Sequence, residues 1–253
     1  MSTEFRDKIF NIENQSDFLE TALEVFNYQH DKNAVYHDFI TILKKKADTL
    51  KTLSDIPFLP VEFFRNHKIV TGERTIEIIF ESSRTTGTSP SRHFVSDLLL
   101  YEESFLNAFR IFYGNPENFL IAALLPSYSE REGSSLAYMA GKLIEESRNS
   151  DSGFYKGNIE DLIHTIKKAK NENRETLLLG VSFALLDLAE KQSPDLSGSI
   201  VMETGGMKGR RKEITRAELH ASLPDKFKFP AGHSAHGMPE PLRQASSKGD
   251  EIF

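Results

Sequence analysis

The sequence FLIAALL at residues 119–125 decides the fold class of this 253-residue chain. It is a continuous apolar run without polar alternation, which is typical of a strand buried on both faces of a parallel sheet. A polar loop at 126–133 follows the run, and apolar positions then recur at helical spacing over 134–147. Strand, loop and helix in this order form the repeating unit of an α/β protein.

The same unit recurs further along the chain. A strand is predicted at 176–182 with a helix at 184–191, and another strand is predicted at 198–204. A helix then follows Thr215, which stands before Glu218 at the spacing of a capping box. We therefore predict a mostly parallel sheet covered by helices, with ligand-binding loops at the carboxyl ends of its strands.

Earlier segments predict three more helices and one more strand. Helices are predicted at 16–28, where Ser16 is placed to cap, and at 34–53 and 97–113 from the spacing of their apolar residues. The isoleucine-rich segment 75–81 predicts a strand that leads into a polar loop.

These elements fit one large α/β domain with a helical N-terminal segment. The helical segment covers 1–55 and the α/β core covers 56–227. Residues 228–253 are rich in proline, glycine, serine and histidine without clear periodicity, so they are predicted to be loop or tail.

The composition excludes several classes of function. The net charge is −6 and the pI is about 5.8, which gives no electrostatic footprint for nucleic acid. The one dense basic run, Lys208, Arg210, Arg211 and Lys212, is interpreted as a solvated surface, with a phosphate contact as the alternative. The chain has no cysteine, so it has no disulfide, no thiolate metal site and no cysteine nucleophile. No stretch approaches the roughly 18 apolar residues of a membrane span, and we expect a cytoplasmic protein.

A hydroxyl-rich loop, SSRTTGTS at 82–89, follows the strand predicted at 75–81. Small hydroxyls and backbone N–H groups in such a turn can surround a polyphosphate. The loop lacks the G-x-x-x-x-G-K-[ST] spacing of a Walker A motif, and an ordinary surface turn is the alternative interpretation.

Several phrases of the sequence resemble one family of enzymes. FESSRTTG at 80–87 resembles the S-S-G-T-T-G phosphate loop of the adenylate-forming superfamily. Over 59–253 the chain resembles, more specifically, the LuxE-type acyl-protein synthetases of that superfamily. The matching phrases are LPVEFF at 59–64, LPSY at 125–128, GSSL at 133–136 and ETGGMKGRR at 203–211.

The resemblance implies an α/β adenylation domain and a two-step ligase reaction. A long-chain fatty acid attacks the α-phosphate of ATP, pyrophosphate leaves, and the acyl-adenylate then passes its acyl group to a protein. Mg²⁺ accompanies the ATP. The expected partners are the fatty acid and an acyl-accepting or reductase protein.

The same resemblance implies the residues of the nucleotide site. HGMPE at 236–240 resembles a Y-G-x-T-E motif, in which His236 would stack on adenine and Glu240 would bind magnesium. The implied catalytic residues are Thr85, Thr86 and Glu240. The implied nucleotide-binding residues are Ser82, Ser83, Arg84, Gly87, Gly205, Gly206, His236 and Gly237.

Three departures from the family pattern imply an impaired enzyme. Arg84 stands where the family has the middle glycine of the phosphate loop, so its side chain would block the phosphate or strain a backbone that needs positive φ. Pro239 stands in place of threonine, which removes a hydroxyl and a backbone N–H. The family's C-terminal subdomain, with its catalytic lysine, is also missing, so we expect a truncated chain.

Two other functions stay open from the sequence. GVSFA at 180–184 partly resembles the G-x-S-x-G elbow of hydrolases and acyltransferases, with Ser182 as nucleophile, although Ser182 also fits a helix N-cap. His164, Asp187 and Asp195 are conceivable triad partners. The other possibility is a catalytically inactive binding module of the same fold.

Overall fold

The computed structural model of the chain divides into two compact units. The first unit is built from residues 1–104 and 239–242, and the second from 105–238 and 243–253. No helix in the described part of the chain is both long and apolar enough to cross a membrane. The described residues are 3–82, 90–192, 194–204, the single positions 218, 223 and 227, and the backbone of 233–238 and 243–248.

The first unit combines helices with a two-stranded sheet. One of its core clusters gathers Phe26, Tyr36, Ile40 and Leu50, side chains that are at most 9% exposed. The elements are helices α1 (Thr3–Phe10), α2 (Gln15–Lys32), α3 (Ala34–Ile42) and α4 (Phe63–Asn66), with strands β1 (Ile78–Glu81) and β2 (Arg92–Val95).

The N-terminal helices confirm the predicted type of structure but not the predicted ends. The side-chain oxygen of Asn14 accepts hydrogen bonds from the N–H groups of Ser16 (2.9 Å) and Asp17 (3.0 Å), so the predicted cap at Ser16 is wrong. Helix α3 ends at Ile42, well before the predicted end at residue 53. Lys44 has a left-handed φ of 55°, which stops the helix at this point.

Strands β1 and β2 pair antiparallel, from Ile78 opposite Val95 to Glu81 opposite Arg92. The strand predicted at 75–81 therefore exists, but it lies outside the parallel sheet. The N–H of Ser82 donates to the carbonyl of Ser91, and the N–H of Ser91 donates to the hydroxyl of Ser82, both at 3.0 Å. The polar loop thus connects two antiparallel strands.

The second unit contains the parallel sheet. Its strand order is β4-β3-β5-β6-β7-β8, with parallel pairing throughout except between β7 and β8. The elements from the end of the first unit onward are α5 (Leu98–Tyr113), β3 (Phe119–Leu124), α6 (Ser135–Glu146), β4 (Gly153–Phe154), α7 (Ile159–Asn171), β5 (Glu175–Val181), α8 (Ser182–Lys191), β6 (Ser199–Thr204), β7 (His233–Met238) and β8 (Arg243–Lys248).

The apolar runs that predicted β3 and β5 are buried on both faces of the sheet. Every residue of β3 is buried, and so is every residue of β5 after Glu175. Leu178 of β5 belongs to a core cluster with Leu162 of α7 and Leu185 of α8, so these two helices share one face. This arrangement confirms the predicted α/β class.

Gly180 of β5 lets helix α8 approach the sheet closely. A Cβ atom at this position would lie 2.7 Å from the side chain of Leu185, which real structures essentially never show. The glycine therefore sets the distance between strand and helix, rather than supplying a special backbone angle.

Two segments of the second unit differ from the sequence predictions. Helix α7 was not predicted, although its residues Leu162, Ile166 and Ala169 follow helical spacing and are buried. Strands β7 and β8 lie within 228–253, which was predicted to be loop or tail. Residues with low intrinsic strand preference become strands here through pairing, because β propensity depends strongly on neighbouring strands.

Candidate functional site

The carboxyl ends of β3 and β5 mark the switch point of the parallel sheet. From β3 the chain passes to β4 on one side, and it then crosses to β5 on the other side of β3. Ligands of open α/β sheets bind in the crevice beyond such a point, because the loops there diverge. The sequence predicted loops at the carboxyl ends, and only the strand order identifies this particular pair.

A pocket of about 430 Å³ lies at this point, and we call it the carboxyl-edge pocket. Its wall comes from the loop after β3, from the segment after β4 and from helix α8. The volume falls within the range of small-molecule sites. Its main lining residues are Leu124, Pro126, Arg131, Lys156, Phe183 and Asp187.

The charges of the carboxyl-edge pocket are mainly positive. Arg131, Lys156 and Lys191 line it, against the single acidic side chain of Asp187 among the described lining residues. Lys156 lies 3.9 Å from the carboxylate of Glu130, too far for a strong ion pair. The pKa of Glu130 is held below its usual value, chiefly by the N–H of Ser127, so Glu130 stays ionised beside the loop.

Three helices begin at the same edge of the sheet. Ser134 caps α6 by accepting from the N–H of Ala137, and Asn158 caps α7 by accepting from the N–H of Asp161. Helix α8 begins at Ser182 directly after β5. Helix N-termini present N–H groups and partial positive charge, so this edge of the sheet favours an anionic ligand.

A buried polar pair stands beside the pocket. The hydroxyl of Ser182 donates to the carboxylate of Glu203, and a longer contact of 3.5 Å reaches the carbonyl of Thr204. Ser182 is 1% exposed and Glu203 is 6% exposed. The two strands align Gly180 with Glu203, which brings the residue at the start of α8 next to the end of β6.

This geometry does not suit a serine nucleophile. Val181 is the N-cap of α8 and has no side-chain cap bond, so the predicted N-cap role of Ser182 is wrong. Ser182 lacks the left-handed φ of a strained elbow, since Lys44, Arg148 and Asn173 are the described non-glycine residues with positive φ. Its hydroxyl is buried and bonds to a carboxylate, whereas an elbow exposes it to substrate.

The suggested triad partners do not gather around Ser182. Asp195 instead accepts from Lys170 at 2.9 Å and from the N–H of Ser197 at 2.9 Å. These hydrogen bonds hold the pKa of Asp195 well below its usual value, and the bond from Lys170 has the largest effect. His164 is exposed on α7, and Asp187 lines the carboxyl-edge pocket.

Most residues assigned to the nucleotide site by resemblance lie outside the described residues. Ser82 is described and bonds with Ser91 next to β1 and β2. His236 and Gly237 lie in β7, opposite Ala245 and Gln244 of β8. Those outside are Ser83, Arg84, Thr85, Thr86, Gly87, Gly205, Gly206 and Glu240.

Sequence reasoning missed the cations of the carboxyl-edge pocket. Arg131 follows β3 and could be found by looking for charges just past a predicted strand, whereas Lys156 follows β4. The strand β4 is only two residues long, so its apolar signal is too weak to mark Lys156 in advance.

The described part of the chain offers no cluster of side chains that could hold a metal ion. Within the described residues, no three histidine, aspartate or glutamate side chains gather closely enough to hold an ion. Glu240, the residue assigned to magnesium by resemblance, lies outside that part of the chain.

Comparisons with family models, with curated proteins and with solved structures find no match to this chain.

Proposed function

We propose that this chain activates a long-chain fatty acid with ATP, as an acyl-adenylate for transfer to a protein. The observation that carries the proposal is the carboxyl-edge pocket, a cationic site at the switch point of a parallel sheet. Nucleotides bind at such points in open α/β sheets. The two phosphate-bearing products of the first step, acyl-adenylate and pyrophosphate, are both anions.

Three of the phrases that resemble acyl-protein synthetases begin at this edge of the sheet. The phrase at 125–128 follows β3, the phrase at 133–136 leads into α6, and the phrase at 203–211 starts at the end of β6. The phrase that starts at residue 203 is distant in sequence from the other two, which are neighbours along the chain. Their convergence at the carboxyl edge supports a common ligand more strongly than any one phrase alone.

The chemistry of the first step needs positive charge at this position. A carboxylate oxygen attacks the α-phosphorus, and the bond to the bridging oxygen breaks, so that pyrophosphate leaves with the electron pair. Negative charge develops on the phosphoryl oxygens, and positioned cations stabilise it. Arg131 and Lys156 would stabilise this charge on the bound nucleotide, and Mg²⁺ would screen the charge of the leaving pyrophosphate.

The second step requires an acceptor outside this chain if the acyl group goes to a thiol. The chain has no cysteine, so it cannot carry an acyl-thioester. In our proposal the acyl-adenylate is therefore attacked by a nucleophile of a partner protein, its acyl carbon forming the new bond while AMP leaves.

The test is exchange of labelled pyrophosphate into ATP in the presence of palmitate. We expect weak exchange from the natural chain and stronger exchange from the variant that combines Arg84→Gly with Pro239→Thr. Adding Arg131→Gln and Lys156→Gln to that variant is expected to lower exchange about tenfold or more, because removing one positioned donor commonly costs about 10² to 10³ in rate.

Lys167→Gln is the matched control, because Lys167 is exposed on α7 and does not line the carboxyl-edge pocket. Absence of palmitate-dependent exchange from both the natural chain and the repaired variant would refute the proposal. Fatty-acid binding without any exchange would instead favour the inactive binding module. Labelling of Ser182 by a serine-directed fluorophosphonate would favour the acyltransferase alternative.

A further inference from the structure

A second cavity, of about 750 Å³, lies entirely within the first unit. We call it the first-unit cavity. Its wall is built from one side of α2, the segment 53–59, the segment 69–71 and strand β2. The volume is within the range that encloses small-molecule ligands. No part of the chemistry described above uses this cavity.

One face of helix α2 forms the longest wall of the cavity. Phe18, Ala22, Val25 and Phe26 follow each other at the spacing of a single helical face. Phe26 is 3% exposed, whereas Phe18 is 49% exposed. The apolar wall therefore runs from the core of the unit to its surface, which suits an elongated ligand.

Large apolar side chains stand exposed where the cavity meets solvent. Phe58 is 82% exposed and Leu53 is 41% exposed, and both line the cavity together with Phe18. Exposing such side chains to water costs free energy in proportion to their apolar area. Because all three line one cavity and are exposed, they form a surface that suits an apolar ligand.

Several polar groups of the lining have hydrogen-bond partners within the unit, and its one acidic side chain among the described lining residues, Asp97, accepts from Arg74 at 3.3 Å. The amide of Asn33 donates to Gln29 and to Thr71, each at 3.3 Å, and the hydroxyl of Thr71 donates to Gln29 at 2.5 Å. The hydroxyl of Tyr36 donates to the carbonyl of Pro57 at 2.6 Å. These groups are already satisfied, so the inner cavity favours hydrocarbon over a polar ligand.

Positive charge lies beside one lining residue and not inside the cavity. The described lining includes no lysine or arginine. Phe94 of β2 does line it, and its ring has the ammonium of Lys68 at 5.7 Å and the guanidinium of Arg92 at 5.6 Å from the ring centre. Both cations are exposed, so they offer a place for an anionic head group next to an apolar interior.

We propose that the first-unit cavity binds the hydrocarbon chain of a long unbranched fatty acid in a step that precedes its activation, with the carboxylate of the bound acid near Lys68 and Arg92. The choice of a carboxylic acid as head group rests in part on the proposed function. The cavity itself and its apolar lining do not, and they stand even if the chain forms no acyl-adenylate.

The first experiment measures binding of cis-parinaric acid to the full chain by fluorescence, without nucleotide, and its displacement by competitors. Palmitate is expected to displace the probe. Octanoate is expected to bind at least about a hundredfold more weakly, because each buried methylene adds to the affinity. Equal displacement by palmitate and octanoate, or no probe binding at all, would overturn the proposal.

The second experiment locates the bound chain. Ala22→Trp, which fills the cavity from the middle of the α2 wall, is expected to weaken binding about tenfold or more. Ala34→Trp is the matched control, since Ala34 is exposed on α3 and outside the lining. A palmitate analogue with a photoreactive diazirine in mid-chain is expected to label residues within 9–100 of the natural chain. Labelling confined to the second unit would overturn the proposal even if Ala22→Trp failed to fold.

The third experiment tests the head group. Lys68→Gln combined with Arg92→Gln is expected to weaken palmitate binding by up to about fivefold, the size of an exposed ionic contact, and to leave binding of palmitate methyl ester unchanged. Lys44→Gln on the exposed surface is the control. An equal loss for acid and ester, or no loss for either, would overturn the carboxylate assignment. Absence of palmitate-dependent pyrophosphate exchange from both the natural chain and the Arg84→Gly, Pro239→Thr variant, with parinarate binding intact, would count against the proposed function alone.

Discussion

The hydroxyl of Ser182 donates a hydrogen bond to the carboxylate of Glu203 at the carboxyl edge of the parallel sheet. The parallel register brings the two residues together, because Gly180 lies opposite Glu203 and Ser182 follows two positions later at the start of α8. The serine that the sequence offered as a nucleophile is thereby bound to a buried acidic partner. The pair ties the start of a helix to the end of the neighbouring strand.

Ser182→Ala is expected to lower the free energy of unfolding by about 1 to 3 kcal/mol, because it removes a donor from a buried carboxylate. Urea unfolding followed by circular dichroism measures the change. Ser16→Ala, at an exposed position on α2, is the control and is expected to change stability little. A Ser182→Ala chain as stable as the natural one would show that the buried carboxylate does not depend on this bond.

Gly180→Ala is expected to destabilise the second unit by about 1 to 3 kcal/mol, because the new methyl group overlaps Leu185. Gly157→Ala is a matched control with no neighbouring atom within 4 Å of the added Cβ. Combining Gly180→Ala with Leu185→Ala is expected to cost less than the sum of the two single changes, since the overlap disappears. Strict additivity in thermal unfolding would rule out the overlap as the cause.

Asp195→Asn is expected to reduce stability at neutral pH and to lose this effect in acid. Lys170 and the N–H of Ser197 hold the pKa of Asp195 below its unfolded value, so the bonds stabilise the folded state wherever the unfolded carboxyl is ionised. That contribution is present above about pH 4 and fades as the pH falls below it. Melting temperatures of both chains across this range measure the effect, and Asp38→Asn, at an exposed site on α3, is the control. A difference that persisted unchanged in strong acid would contradict the assignment.

Arg84→Gly and Pro239→Thr together are expected to strengthen Mg-ATP binding more than either change alone. On the family resemblance both positions act on one bound nucleotide, so their effects should not be additive. Calorimetric titration of the natural chain and the three variants measures the dissociation constants. Tight binding by the natural chain, in the low micromolar range, would show that Arg84 and Pro239 do not impair the site.

Local apolar patterns made three central strands of the second unit, β3, β5 and β6, predictable. The runs at 119–125 and 176–182 lie within one residue of β3 and β5, and 198–204 likewise matches β6. Such runs occur when both faces of a strand are buried, so the signal depends little on neighbours. The helix predicted at 97–113 was also found, as α5, because one stripe of large apolar residues is a strong local signal.

Other elements depended on partners far away in the sequence. The strand at 75–81 has the same composition as a central strand, yet it pairs antiparallel with β2. Strands β7 and β8 arise from residues with little strand preference. The N-cap of α2 is Asn14 and not the predicted Ser16. Both residue types are good caps, so the sequence alone did not distinguish between them.

By itself the sequence determined the α/β class, the buried central strands and the absence of any cysteine chemistry, since these follow from local apolar patterns and composition. The tertiary structure alone decided the strand order, the switch point between β3 and β5, and therefore the position of Arg131 and Lys156 in one pocket. It also decided that Ser182 faces Glu203 instead of substrate. Strand order and register join residues distant along the chain, and no local pattern of side chains encodes which of them will meet.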